Sequence, residues 1–148
     1  MMMIEDEGGE MTTTEDSDDR RHLEVGRRGE DMAVAYLREK GWRIEDRNFE
    51  TKYGEIDIIA ERSVDGESGR LVAFVEVKTR SSSGAAAPHL AVTADKRRKL
   101  VRMGRTYADW HGRSNTGYRF DVIGIDLSED PPKLQHFEGA FDFRGRPY

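Results

Sequence analysis

The chain has 148 residues, enough for one compact domain with a single core and too few for two. It contains no cysteine, which removes disulfides, thiolate-held zinc, iron–sulfur clusters and a thiol nucleophile together, so any metal must be held by oxygen or imidazole. The net charge of −5 hides a division: residues 1–19 carry eight acids and no base, leaving residues 20–148 at +3, a body able to meet a polyanion. No apolar run approaches the roughly 18 residues of a membrane-spanning helix, and no basic segment precedes a hydrophobic one at the start; a soluble, cytoplasmic protein with no membrane partner is expected.

The opening segment, MMMIEDEGGEMTTTEDSDD, has too little apolar content to bury. Residues 1–19 are therefore expected to form a disordered acidic tail and residues 20–148 the folded domain. From about Leu23 to Lys40 the pattern is helical, with Ala33, Tyr36 and Leu37 on one face and Gly41 as the stop. Glu30 stands out there, because Ala33, Val34 and Leu37 follow at i+3, i+4 and i+7 and put its carboxylate on the apolar face; the plainer reading is an acid that snorkels to solvent. WRIEDRNFE reads as a short strand and TKYG as a turn. EIDIIAER and RLVAFVEVKTR are two further strands, antiparallel because the polar SVDGESG connection is too short for a crossover.

After a loop of small residues, LAVTADKRRKLVRMGRTYADWHG reads as a second long helix, with Thr93 as N-cap and Leu100, Met103, Tyr107 and Trp110 as its buried stripe. YRFDVIGIDL alternates as a fourth strand, and KLQHFEGAFDF adds an edge strand. The order is α-β-β-β-α-β-β. His22, His89, His111 and His136 form no ligand-spaced pair and read as surface residues, while Tyr36, Trp42, Tyr107 and Trp110 have core spacing and read as packing rather than base-stacking platforms.

Two strands carry charge where they should be driest. Asp57 splits IDII, and Glu76 and Lys78 flank Val77 at the end of LVAFV. Alternation puts Glu76 and Lys78 on one face, and a suitable hairpin register brings Asp57 close to Glu76. Two carboxylates beside one ammonium disfavour joint ionisation unless a cation lies between them, and hard oxygen ligands of this kind suit Mg²⁺. An isolated Glu-x-Lys in a strand is ordinarily an exposed ion pair. Strands buried on both faces, however, rarely carry unpaired charge.

With GEIDIIA, then FVEVKTR, preceded by a helix bearing GRRGEDMAVAYL, the chain from Gly26 to Leu127 resembles the YraN-type endonuclease family, related to archaeal Holliday-junction resolvases within the PD-(D/E)XK nuclease superfamily. The resemblance implies an α/β, restriction-endonuclease-like fold, a mixed sheet flanked by helices. It implies that Asp57 and Glu76 are ligands for Mg²⁺ or Mn²⁺, that Lys78 is the lysine of the motif, and that Glu30 is the helix-borne acid of the resolvase-like branch. The Val77 carbonyl is a further ligand in this scheme, Glu30 acts through a metal-bound water, and Glu55 is an optional supporting group. The literal Pro-Asp is absent, since Ile56 precedes Asp57, and the glutamine often found on the following helix is not evident.

The expected activity is metal-dependent hydrolysis of DNA phosphodiesters, branched or damaged DNA included, with a homodimer by analogy to resolvases. Residues 96–113 hold seven bases against Asp109, and Lys96, Arg97, Arg98 and Lys99, with Arg80 after the motif, are the expected nucleic-acid contacts, extended by Arg43 and Arg47. Two alternatives stand beside the enzyme: a nucleic-acid-binding module of the same fold without useful catalysis, and a protein-interaction scaffold using the acidic tail.

Overall fold

The protein is described here by a computed structural model covering residues 14–64, 68–81 and 91–147. The elements run α1 (Thr14–Glu39), β1 (Arg43–Thr51), β2 (Gly54–Val64), β3 (Gly69–Arg80), α2 (Ala94–His111), β4 (Thr116–Asp126) and β5 (Lys133–Phe141), the expected order. The strands form one sheet in chain order. Adjacent strands are antiparallel except β3 and β4, which are parallel and joined through α2. A parallel pair requires such a crossover, and α2 supplies it.

Helix α1 ends as its sequence predicts: Gly41 adopts φ 93°, its N–H bonds to the Arg38 carbonyl, and the Trp42 N–H reaches back to the Leu37 carbonyl. That is the Schellman arrangement, sealed by burial of Trp42 and Leu37 in the same cluster. The start differs from expectation. The helix begins at Thr14 rather than near Leu23, so Thr14–Asp19 extends it instead of belonging to a disordered tail. Acids in a first turn are stabilised by the positive end of the helix dipole, which gives this acidic stretch a reason to coil. The rest of the expected tail, residues 1–13, lies outside the described residues.

Two apolar layers sandwich the sheet. On one side Val72, Phe74, Phe120 and Val122 meet Leu100, Val101 and Met103 of α2; on the other Ile58, Val75, Ile123 and Ile125 meet Ala33, Val34 and Leu37 of α1. Helix α2 starts where predicted, the Thr93 hydroxyl accepting from the Lys96 N–H at 3.2 Å. Each helix approaches the sheet closely at one glycine. A Cβ on Gly104 would meet Phe74 Cε2 at 2.9 Å, and one on Gly29 would overlap the Thr79 hydroxyl outright. Gly29→Ala is therefore expected to push α1 off β3 and cost about 1–3 kcal/mol in a denaturant melt, whereas Gly26→Ala, with nothing near its Cβ, is expected to leave stability unchanged or raise it.

Two side chains depart from their expected places. His136 is not a surface residue: its side chain is 7 % exposed, its Nε2 lies 2.7 Å from Asp121 Oδ2, and its Nδ1 lies 3.0 Å from the Tyr36 hydroxyl. Asp121, 1 % exposed, also accepts from Arg119 Nε and Nη2 at 2.8 and 2.9 Å and from the Gly139 N–H at 3.0 Å, so this acid is fully bonded and ties β5 to β4. Trp110, expected in the core, is 69 % exposed. It reaches Phe49 on β1 with ring centroids 6.2 Å apart, and because β1 is an edge strand, no further strand among the described residues covers the indole.

Candidate active site

The β2–β3 ladder is regular from Val64↔Gly69 to Ile58↔Val75. One more step would set Asp57 against Glu76. There the pairing changes: the Val77 N–H donates to Asp57 Oδ2 at 2.8 Å, a side-chain oxygen taking a bond that a strand carbonyl would otherwise receive. The strands part at this point. Asn48, across from Asp57 on β1, sits in the left-handed region at φ 56° and sends its amide to Glu30 Oε1 at 3.1 Å.

Asp57 and Glu76 thus converge at the end of β3 between the two helices. Glu76 is 5 % exposed; its Oε1 faces Lys96 Nζ at 3.7 Å and Lys78 Nζ at 3.9 Å, and its Oε2 is buried with no hydrogen-bond partner among the described residues. Burial, then the Asp57 charge, raise its pKa to about 7 against partial relief from Lys96 and Lys78. Burial likewise raises Asp57 to about 6, opposed by the Val77 N–H and Lys96 and reinforced by Glu30 and Glu55. An orphaned buried carboxylate oxygen and two acids that resist joint ionisation form an arrangement that a divalent cation could satisfy.

Glu30 stands beside this pair, not within it. Arg47 grips its Oε1 with Nη2 at 3.0 Å and Nε at 3.2 Å and also holds Asp31 at 2.7 Å. Glu30, Glu55, Asp57, Val77, Arg47 and Asn48 line a cleft of about 540 Å³ walled by the middle of α1, from His22 to Asp31. Among the described residues no three His, Asp or Glu side chains are grouped to share one ion, and Asp57 and Glu76 are the two converging acids that could contribute to holding one. Two carboxylates with waters and a substrate phosphate are a usual Mg²⁺ set, and the donor chemistry fits that ion.

The expected nucleic-acid contacts divide. Lys96 turns inward to Glu76. Arg97 is held by the backbone, donating from Nε to the Gly145 carbonyl and from Nη1 to the Val92 carbonyl, both at 2.7 Å. Arg80 pairs with Asp126 at 3.0 Å. Arg98 and Lys99 are exposed and share Asp95, at 3.6 and 3.1 Å. Of the residues that sequence reasoning passed over, Asn48 is the clearest, and an asparagine inside a strand pattern, a residue tolerant of the left-handed region, was the available signal.

A mixed five-stranded sheet between two helices, with acids and a lysine gathered where its second and third strands part, defines an α/β protein of the restriction-endonuclease-like fold. The chain belongs to the YraN family, whose model, described as "Uncharacterised protein family UPF0102", matches residues 29–125. Its relatives include a UPF0102 protein of Anaeromyxobacter dehalogenans, 39 % identical over 89 % of this chain and 92 % of its own. Another, from Geobacter sulfurreducens, is 42 % identical over 80 % of this chain and 88 % of its own. A third, from Rhodococcus jostii, is 39 % identical over 81 % and 98 %.

Proposed function

We propose that the chain is a divalent-metal-dependent endonuclease that hydrolyses DNA phosphodiester bonds, branched DNA included, and that it works in the cytoplasm. The observation carrying this reading is the buried Asp57–Glu76 pair with its unpartnered Glu76 Oε2. Asp57 and Glu76 hold Mg²⁺ or Mn²⁺, with the Val77 carbonyl as a further donor and Glu30 acting through water. Once bound, the ion activates water and neutralises charge that grows on the phosphate.

The chain's own groups do the rest. Lys78, its side chain 37 % exposed, reaches the acid pair from the solvent side and is the group that orients the attacking water or meets the charge on the phosphate oxygens. Lys96 approaches Glu76 from α2 and lowers the cost of keeping that carboxylate ionised. The Val77 N–H holds the Asp57 carboxylate by Oδ2 at 2.8 Å, the carboxylate that would help hold the ion. Arg47 and Asn48 hold Glu30 by Oε1 at the wall of the cleft.

A binding module without catalysis is the rival reading. It gives no reason for two raised-pKa acids beside a polyanion, since each charge there weakens phosphate binding. The test incubates full-length protein with labelled linear and four-way-junction DNA, with EDTA, Mg²⁺ or Mn²⁺. Cleavage only with metal is expected; binding without cleavage under every condition would leave the rival standing. No described helix is long and apolar enough to cross a membrane. A homodimer remains part of the proposal by analogy with resolvases.

A further inference from the structure

Away from the acid site, basic charge gathers on another flank of α2. Arg98, Arg102 and Arg105, with Arg144 from the segment after β5, surround a hollow of about 230 Å³ floored by Val101 and walled by Phe143. The three helical arginines fall at i, i+4 and i+7, one stripe of a helix. The segment after β5 is fastened against this stripe: Arg97 donates to the Gly145 carbonyl at 2.7 Å, Arg105 to the Phe143 carbonyl at 3.3 Å, and Asp142 caps the turn by accepting from the Arg144 and Arg146 N–H groups, each at 2.9 Å. Arg144 is thus set beside the helix by a bonded turn.

These guanidiniums lack acids to answer them. Among the described residues no carboxylate pairs with Arg102, Arg105 or Arg144, and Arg98 has only Asp95 at 3.6 Å, which Lys99 holds more closely at 3.1 Å. Asp142, on the same segment, is taken by Arg146 at 3.1 Å. Like charges gathered without partners repel, so the arrangement is stabilised by whatever anion enters it. Planar guanidiniums match phosphate oxygens bidentately, and an exposed aromatic ring beside them accepts a sugar or base face. Phe143, 40 % exposed, provides that ring.

We infer that this hollow is a second nucleic-acid site, binding a short run of backbone phosphates that flanks the scissile bond, with Phe143 stacked against the accompanying nucleoside. From Arg98 to Arg105 the helix rises about 10 Å, enough to face more than one backbone phosphate, since each strand of a duplex places one about every 3.4 Å along the duplex axis. The stripe lies on the same helix as Lys96, whose ammonium faces Glu76, and a polynucleotide that wraps around α2 would meet both places. The proposal rests on the nucleic-acid half of the nuclease reading and not on cleavage.

Its test measures anisotropy of labelled single-stranded, duplex and four-way-junction DNA with full-length protein in EDTA, over a salt series. The double variant Arg98→Gln/Arg144→Gln, which breaks no side-chain bond to the backbone, is expected to flatten log affinity against log salt by roughly 0.7–0.9 per lost contact, with unchanged melting. The Arg→Lys double variant is expected to keep the slope, and Phe143→Ala to weaken single-stranded DNA more than duplex. An unaltered slope in the folded glutamine variant overturns the site, as does loss of binding to anionic vesicles with DNA affinity intact. A flattened slope in a protein that never cleaves with metal retains this site and rejects the nuclease; cleavage with an unaltered slope does the reverse.

Discussion

Asp57→Asn is expected to abolish metal-dependent DNA cleavage while making the metal-free protein harder to melt at about pH 8. The two effects share one cause. Asp57 and Glu76 ordinarily titrate near 3.8 and 4.5, and in the folded chain burial raises them to about 6 and about 7. The unfolded chain therefore releases these protons first, so the stability they contribute is complete below about pH 4 and drains away as pH rises through the folded values. Replacing Asp57 removes its own share and its push on Glu76. Asn Oδ1 still accepts the Val77 N–H, so the strand end is retained. The gain at about pH 8 is expected to be on the order of 1–3 kcal/mol and to vanish near pH 4. Mg²⁺ should stabilise the wild type by mass action and leave the variant unmoved, and DNA should bind the variant at least as tightly. Thermal melts with EDTA and with Mg²⁺ at both pH values check all of this; a variant that melts lower at about pH 8 and cleaves as well as wild type would make Asp57 a structural acid.

Lys78→Met is expected to cut cleavage by about 10²–10³ while sparing metal binding in a calorimetric titration. Magnitudes separate this from a structural ion pair. A truly buried pair costs about 3–5 kcal/mol to break, but an ammonium 3.9 Å from its partner and 37 % exposed is expected to contribute under about 1 kcal/mol. The variant should therefore stay folded and fail in rate. Lower melting with undiminished cleavage would assign Lys78 to the sheet instead.

Legibility followed the kind of constraint involved. Thr93 and Gly41 were readable because capping is local chemistry, complete within a few residues. Asp57 and Glu76 were readable because charge inside an apolar strand is conspicuous without knowing the neighbours, and the register then brought them together. The same signal was present in Asp121, between Phe120 and Val122, and was passed over; its partner His136 was hidden because the β4–β5 register shifts between Phe120 and Val122, which alternation along one strand does not reveal. Trp110 failed for a different reason. Its helical spacing from Met103 and Tyr107 is right, yet periodicity says which face turns inward and not whether the sheet extends far enough to cover it. Arg97 shows the limit for charge: composition marks a basic stretch, while the segment after β5 decides which arginine is withdrawn from it.

The irregular course of β1 has a bearing on how copies of the chain can meet. An outermost strand with unpaired N–H and C=O groups invites another chain to extend the sheet, the route by which many β proteins cluster or form fibres. Here the β1–β2 register slips between Ile44 and Asp46, and two residues later Asn48 turns left-handed, so the outer row of backbone groups is bent out of line and studded with Arg43, Glu45, Asp46 and Arg47. The kink that delivers Asn48 to Glu30 also denies a neighbouring strand a straight template, guarding this border against self-association.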